Sequence, residues 1–400
     1  MRPHTKLDPT RTGDEARKLE GALRKRVVGQ DEAIDAIVGI YQMFLAGLSD
    51  PCRPIGNFLF LGPTGIGKTR IVEATAECLA GDARAMIKVD CAEFQHSHEI
   101  AKLIGSPPGY LGHRETHPAL SQEILNRYSL KPEGPSVVLF DEIEKASDAL
   151  WNLLLGILDK ATLTLGDNRR VDFSRTLIFM TSNLGAREMD SIQRPGVGFA
   201  ASVLETLHRT SGAPHGGAAR IVRAGREAAR KRFHPEFMNR LDKIVVFRSL
   251  GEAELRKILG LELNRLRRHI LHSSPAAPFA FALTEAAKNH LLREGTDERY
   301  GARHLKRVID NALVQPLSKL IATRQVREGD WIKIDYDVSA SQMTFTKEAE
   351  NLSAYAMAQL PEGPACVPSI TLEMPSLAAP TLAGRDDGKG SQAKGRNAVV

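Results

Sequence analysis

Short apolar runs alternate with longer amphipathic stretches along the first two-thirds of the chain. The runs lie at residues 58–61, 85–89, 137–140, 176–180 and 244–247, each four or five residues long and bounded by polar or turn-forming positions. Between them, apolar residues recur at helical spacing over 33–48, 70–79, 97–103, 119–128 and 148–158. Continuous apolar strands separated by helices predict the α/β class, with a parallel five-stranded sheet flanked by helices on both faces. Beyond residue 250 the period becomes helical, with candidates at 252–272, 284–294 and 302–321. Residues 331–336 then alternate as a strand, with 343–346 as a hairpin partner. This predicts a smaller, mainly helical second domain with a short β element.

The pattern divides the chain into a polar, flexible lead-in (1–20), a large domain (21–249), a small domain (250–350) and a tail (351–400) rich in Ala, Pro, Gly and Ser. The tail is expected to be disordered. Within the large domain, 186–230 turns to Gly, Ala, Arg and Ser and reads as a variable insertion containing a basic helix at 218–232. Composition narrows the setting. The first twenty residues hold no apolar core of a secretory signal. The most apolar long window, 33–48, carries Asp35 and Gln42 and is too short to span a bilayer. Cys52, Cys78, Cys91 and Cys366 are scattered without ligand or pair spacing, which suits a reducing, cytoplasmic setting better than a zinc site or disulfide framework. A net charge of +6, spread among 48 acids, reads as solvated surface rather than a nucleic-acid face.

One stretch carries chemistry. The strand at 58–61 breaks into Gly62, Pro63, Thr64, Gly65, Ile66, Gly67, Lys68 and Thr69, followed by a helix. This matches the phosphate-loop pattern G-x-x-x-x-G-K-[ST] in the strand–loop–helix context it requires. The glycines let backbone N–H groups turn toward phosphate oxygens, and the helix start adds its positive end. Lys68 is the candidate for the β- and γ-phosphates of ATP, and Thr69 for Mg²⁺. A second signal is Asp141-Glu142, closing the strand at 137–140. Asp141 is the candidate for the Mg²⁺ shell and Glu142 for activating water; a plain acidic helix cap is the competing reading. Asn183, at the tip of the next strand, either contacts the γ-phosphate or is a turn residue before Leu184-Gly185. Arg240 and Arg303 carry no distinguishing mark on charge alone.

Seven stretches together resemble the Clp class of AAA+ ATPases, in particular the second ATPase module of Clp unfoldases and disaggregases. They are VVGQ at 27–30, the phosphate loop at 62–69, GSPPGYLG at 105–112, VVLFDEIEKA at 137–146, VDFSRTLIFMTSNLG at 171–185, FHPEFMNRLDKIVVF at 233–247 and YGARHLKR at 300–307. The resemblance implies a P-loop AAA+ module with a C-terminal lid. It places Val27 and Val28 at the adenine, makes Asn183 the first sensor and Arg303 the second, and makes Arg240 an arginine finger for the neighbouring subunit. It therefore implies a ring, normally a hexamer, of a protein that hydrolyses ATP to thread unfolded or tagged polypeptide through a pore.

Tyr110, with Leu111, matches the pore-loop grip on substrate. Val197, Gly198 and Phe199 fit the aliphatic-Gly-aromatic pattern that docks on a Clp-type peptidase, with a loop anchored by Phe199 as the alternative. The sequence departs from the family in having a single ATPase module, in His113–Pro118 after the pore aromatic, and in the loop near 159–170. A stand-alone chaperone, an ATP-binding scaffold and a nucleic-acid motor are the rival functions.

Overall fold

The computed structural model describes residues 8–106, 118–129, 134–193, 216–273, 278–296 and 301–352. The large domain is built on a five-stranded sheet in the order β2-β3-β6-β1-β7. These are β1 (Gly56–Leu61), β2 (Ile87–Asp90), β3 (Ser136–Asp141), β6 (Thr176–Ser182) and β7 (Lys243–Val246), and every neighbouring pair is parallel. The period of two along each strand divides the core. Phe58 and Phe60 of β1 join Leu139, Phe179 and Phe247 on one face. Leu59 and Leu61 join Phe140, Ile178 and Met180 on the other. Helix α1 (Asp14–Arg26), α2 (Asp31–Leu45) and α3 (Lys68–Ala80) contribute apolar stripes to the first face, and α6 (Asp148–Lys160) to the second. Burial on both faces explains why β1 is apolar without interruption from Phe58 to Leu61.

Three features differ from the sequence expectation. Residues 14–20 are not a loose lead-in: α1 covers them and buries Ala16, Leu19 and Leu23 against α2 and α3. A charged helix is held here by a narrow stripe at i, i+3 and i+7. The polar turn before residue 170 is a hairpin, β4 (Thr162–Thr164) with β5 (Arg170–Asp172), each burying a single residue, Leu163 and Val171. The unforeseen β8 (Ala280–Leu283) pairs in parallel with β9 (Trp331–Asp337), whose expected antiparallel partner is β10 (Gln342–Ala349). The helix read over 302–321 is present as α12 (Ala302–Ile309), a π turn over Asp310–Val314 and α13 (Gln315–Ala322). Pro316 lacks the N–H that a continuous α-helix would use, which accounts for the irregular turn.

The remaining helices are α4 (Ala101–Ile104), α5 (Gln122–Arg127), α7 (Ala186–Gln193), α8 (Gly216–Arg232), α9 (Pro235–Met238), α10 (Glu252–Ser273) and α11 (Glu285–Gly295). The expected basic helix at 218–232 thus lies within α8. Leu255, Leu259, Phe281, Leu291, Leu313 and Ile334 form the separate core of the small domain. None of the described helices is long and apolar enough to cross a membrane.

Candidate functional site

The phosphate loop leaves β1 with Gly62 at φ 141°, Gly65 at 77° and Gly67 at 100°, conformations that L side chains rarely adopt. A Cβ on Gly62 would come within 2.7 Å of the Ile66 side chain and 3.0 Å of the Phe247 carbonyl oxygen, so this glycine lets the loop lie against Phe247, the residue that follows β7. A Cβ on Gly67 would meet nothing within 4 Å. The space above Gly67 is therefore open, directly before the first turn of α3, where unpaired N–H groups favour an anion.

Lys68 opens α3 and is 8% exposed. Its ammonium donates to the Gly62 carbonyl, to the Pro63 carbonyl at 2.6 Å and to Asn183 Oδ1 at 2.8 Å. Burial lowers its pKa to about 8, with Arg303 adding to the shift and Glu144, Asp141 and Glu142 opposing it. A buried cation held on neutral carbonyls stands ready for a stronger anionic partner.

The acidic pair lies across the cleft. Asp141, the last residue of β3, accepts a hydrogen bond from the Thr181 hydroxyl and pairs with Lys88 at 3.0 Å. Burial raises its pKa, but Thr181 and Lys88 together outweigh burial and hold the carboxyl below its ordinary range. Glu142 follows at φ 55°, a left-handed conformation that turns its side chain away from the strand direction. Its carboxylate pairs with Lys145 at 2.5 Å and accepts from Asn183 Nδ2 at 3.3 Å. The Asn183 amide thus joins Lys68 to Glu142.

A cavity of ≈ 670 Å³ extends from this cleft. Val27, Val28, Thr64, Lys68, Thr69 and Asp141 line it from the large domain, and Ile258, Leu261 and Arg303 from the small one. Its size suits one nucleotide. The domains meet at the loop itself, where Ala302 N–H donates to the Gly65 carbonyl at 3.0 Å. Gln30, 5% exposed, fastens the VVGQ turn by donating to the carbonyls of Ile66 and Arg248.

Arg240 is elsewhere. Its guanidinium pairs with Glu236 at 2.9 Å and Asp159 at 3.6 Å, and its carbonyl accepts from Asn57 at the start of β1. The phosphate loop begins past the other end of that strand, and from Asn57 to Leu61 the backbone rises roughly 13 Å. Arg240 does not line the cavity. The residues Tyr110, Leu111, Val197, Gly198 and Phe199 lie outside the described residues. Gly105, at the base of that first motif, packs against the tip of the β4–β5 hairpin, where Gly166 N–H donates to the Ile104 carbonyl at 2.8 Å.

Sequence reasoning missed Gln30, Lys88, Glu144, Lys145 and Thr181. Glu144 and Lys145 sit inside the quoted VVLFDEIEKA stretch and Thr181 inside the MTSN stretch, so their positions were visible. Their pairings were not, because Thr181 meets Asp141 only when β6 lies beside β3.

A glycine loop before a helix, an acidic end on β3, one strand away across β6, and a small helical domain over the same cavity define a P-loop module of the AAA+ type. The chain belongs to the Clp class of these proteins. Residues 53–244 match the AAA domain (Cdc48 subfamily), and residues 250–334 match the C-terminal, D2-small domain, of ClpB protein. It is 38% identical over 351 residues to the ATP-dependent Clp protease ATP-binding subunit ClpC of Staphylococcus saprophyticus, covering 87% of this chain and 40% of that one. It is 39% identical over 319 residues to the chaperone protein ClpB of Rhodopirellula baltica, covering 80% of this chain and 33% of the relative. The chain thus spans well under half the length of these relatives. Among solved structures, the S. cerevisiae Hsp104:casein complex in its extended conformation aligns over 85% of this chain and 53% of that one, with a TM-score of 0.69 and 28% identity. The closed state of Hsp104:ATPyS and FITC casein aligns over 86% and 53%, at 0.67 and 29%.

Proposed function

We propose that the chain is the ATP-hydrolysing subunit of a homo-oligomeric ring, normally a hexamer, that unfolds or remodels polypeptides. The observation that carries this is the Asn183 bridge, which links the phosphate-facing Lys68 to Glu142 across one cavity. In this reading the loop amides and Lys68 hold the triphosphate, Val27 and Val28 border the base, and Arg303 approaches from the lid. Thr69 and Asp141 fit Mg²⁺ as a hydroxyl and a carboxyl held charged on the same cavity. When bound, the ion supplies charge neutralisation at the phosphates. Glu142 takes a proton from the attacking water, and Asn183 keeps its carboxylate aligned toward the phosphate end.

The distance of Arg240 from its own phosphate loop supports a role in a neighbour's site, where an oriented guanidinium stabilises charge developing in the transition state. Tyr110 and Leu111 are the proposed grip on substrate, and a cytoplasmic setting is proposed with them. The relatives named above include both a protease ATP-binding subunit and a chaperone. The proposed peptidase dock is Val197-Gly198-Phe199, tested by ATP-dependent co-sedimentation with a Clp-type peptidase before and after Phe199→Ala.

The central test compares steady-state ATP turnover of the wild type with Glu142→Gln. The variant keeps shape and nucleotide binding and is expected to lose roughly 10²–10⁴-fold in rate, the usual contribution of a positioned general base. Equal rates in the two proteins would overturn the assignment of Glu142. Negligible turnover in both would favour an ATP-binding scaffold.

A further inference from the structure

Glu144 is the third acid of the DEIEKA stretch and has no part in the chemistry above. It is half-buried, two residues past Glu142, and its carboxylate is divided. Oε1 accepts the backbone N–H of Asn183 at 3.1 Å. Oε2 is buried with no hydrogen-bond partner among the described residues. An orphaned carboxylate oxygen is destabilising, and such groups persist where the other half of the side chain has a task.

The task is visible in what the held amide controls. Asn183 is the residue whose side chain spans Lys68 and Glu142, at 2.8 and 3.3 Å. It stands where β6 ends, so the backbone there has no further ladder to hold it. A side-chain acceptor on its N–H is therefore what sets the residue's orientation. On its other side, the Glu144 carbonyl accepts from Arg232 Nη2 at 3.0 Å. Arg232 is the last residue of α8, and the chain continues through buried Phe233 and the short α9 to Arg240. Phe233 packs tilted and Phe237 edge-on against Trp151, with ring centroids at 5.1 and 4.7 Å, which makes this connection a packed unit rather than a loose strand.

Resting on the ATPase reading, we propose that Glu144 is a positioning residue that holds Asn183 in register with Glu142, and that Arg232 ties this register to the segment presenting Arg240. The chain's own phosphate-sensing residue and the arginine it offers to a neighbour then share one mechanical link. Each end is a hydrogen bond to Glu144, one through its side chain and one through its backbone.

The experiment uses Glu144→Gln, Glu144→Ala and Arg232→Ala in the full chain beside the wild type and Glu142→Gln. Hydrogen exchange is read in the nucleotide-free protein, and kcat, KM and the Hill coefficient for ATP in the assembled one. Glutamine retains a carbonyl oxygen for the Asn183 N–H; alanine does not. Exchange at Asn183 is expected to stay protected in Glu144→Gln and to accelerate at least tenfold in Glu144→Ala. The kcat of Glu144→Ala should fall about 10–100-fold with KM within about threefold, because a displaced catalytic group costs rate rather than binding. Glu144→Gln should restore most of that loss. Arg232→Ala should preserve KM and lower the Hill coefficient toward 1.

Equal impairment in the glutamine and alanine variants, or unaltered Asn183 exchange in the alanine variant, would overturn the positioning role. A wild-type Hill coefficient in Arg232→Ala would overturn the link to Arg240. If wild type and Glu142→Gln both lack turnover, the ATPase reading fails instead, and the exchange result still judges Glu144 on its own.

Discussion

Replacing Gly301 with alanine is expected to separate nucleotide binding from folding. Gly301 precedes α12 at φ 53° and ψ −140°, a region of backbone space open essentially to glycine. A Cβ there would lie 2.8 Å from the Gly65 carbonyl oxygen and 3.1 Å from its carbon. Both atoms belong to the phosphate loop's backbone, which cannot rotate aside as a side chain could. The same oxygen accepts the Ala302 N–H at 3.0 Å, so relieving the clash breaks the contact between lid and loop. Backbone strain of about 1–3 kcal/mol and a lost hydrogen bond of about 1 kcal/mol give roughly 2–4 kcal/mol against the closed arrangement. At 1.4 kcal/mol per decade this is a loss of about 30-fold or more in ATP affinity. The two domains keep separate apolar cores, so the melting temperature of the nucleotide-free chain should change little. Gly260→Ala is the control: this glycine lies inside α10, a Cβ would meet nothing within 4 Å, and alanine there should stabilise by roughly 0.5–1 kcal/mol. Titration with a fluorescent ATP analogue, with thermal unfolding in parallel, makes the comparison. An affinity for Gly301→Ala within threefold of wild type would refute the reasoning.

Other outcomes follow from particular packing and charge. Leu23→Ala, at a fully buried position of α1, should cost roughly 2–5 kcal/mol in denaturant unfolding; a cost under 0.5 kcal/mol would mean that α1 does not belong to the core. Lys68 has a folded pKa of about 8 against 10.5 when unfolded, so its charged form opposes folding at neutral pH and stability is regained as pH rises through that window. Between pH 7 and 9.5 the nucleotide-free wild type should therefore gain about 2 kcal/mol relative to Lys68→Met, measured by urea titration at each pH; a constant difference would contradict it. Cys52 is exposed, whereas Cys91 is fully buried with its thiol pushed well up by burial first and by Asp90 and the site carboxylates second. A thiol reagent should thus modify Cys52 in the native protein and reach Cys91 only after unfolding, as peptide mapping would reveal.

Much of this protein was readable without coordinates because its strongest signals are local. The five apolar runs, the glycine loop between one run and a helix, and the acidic end of another are properties of consecutive residues. Each corresponds to a sheet strand or its end. The losses were of two kinds. Helix α1 was hidden by composition, since Ala16, Leu19 and Leu23 are a narrow apolar stripe within thirteen mostly charged or polar positions. The β4–β5 hairpin and β8 were hidden by shortness, since three or four residues carry too little periodicity to be distinguished from turns. Their stability comes from partners elsewhere in the chain, such as Trp331 and Ile332 opposite Ala280 and Phe281.

The sequence by itself determined the strands of the main sheet, most of the helices, the phosphate loop and the identities of the acids and arginines. A backbone that must bury apolar runs and turn at glycines leaves few other readings for the loop at 62–69. Tertiary structure alone decided the partnerships. The order β2-β3-β6-β1-β7 puts β6 between β3 and β1, and so brings Thr181 to Asp141 and Asn183 between Lys68 and Glu142. It also separates Arg240 from its own phosphate loop by the length of β1. Hydrogen bonds and charge pairing depend on distance through space. Residues 115 positions apart, as Lys68 and Asn183 are, acquire that distance only when the sheet assembles.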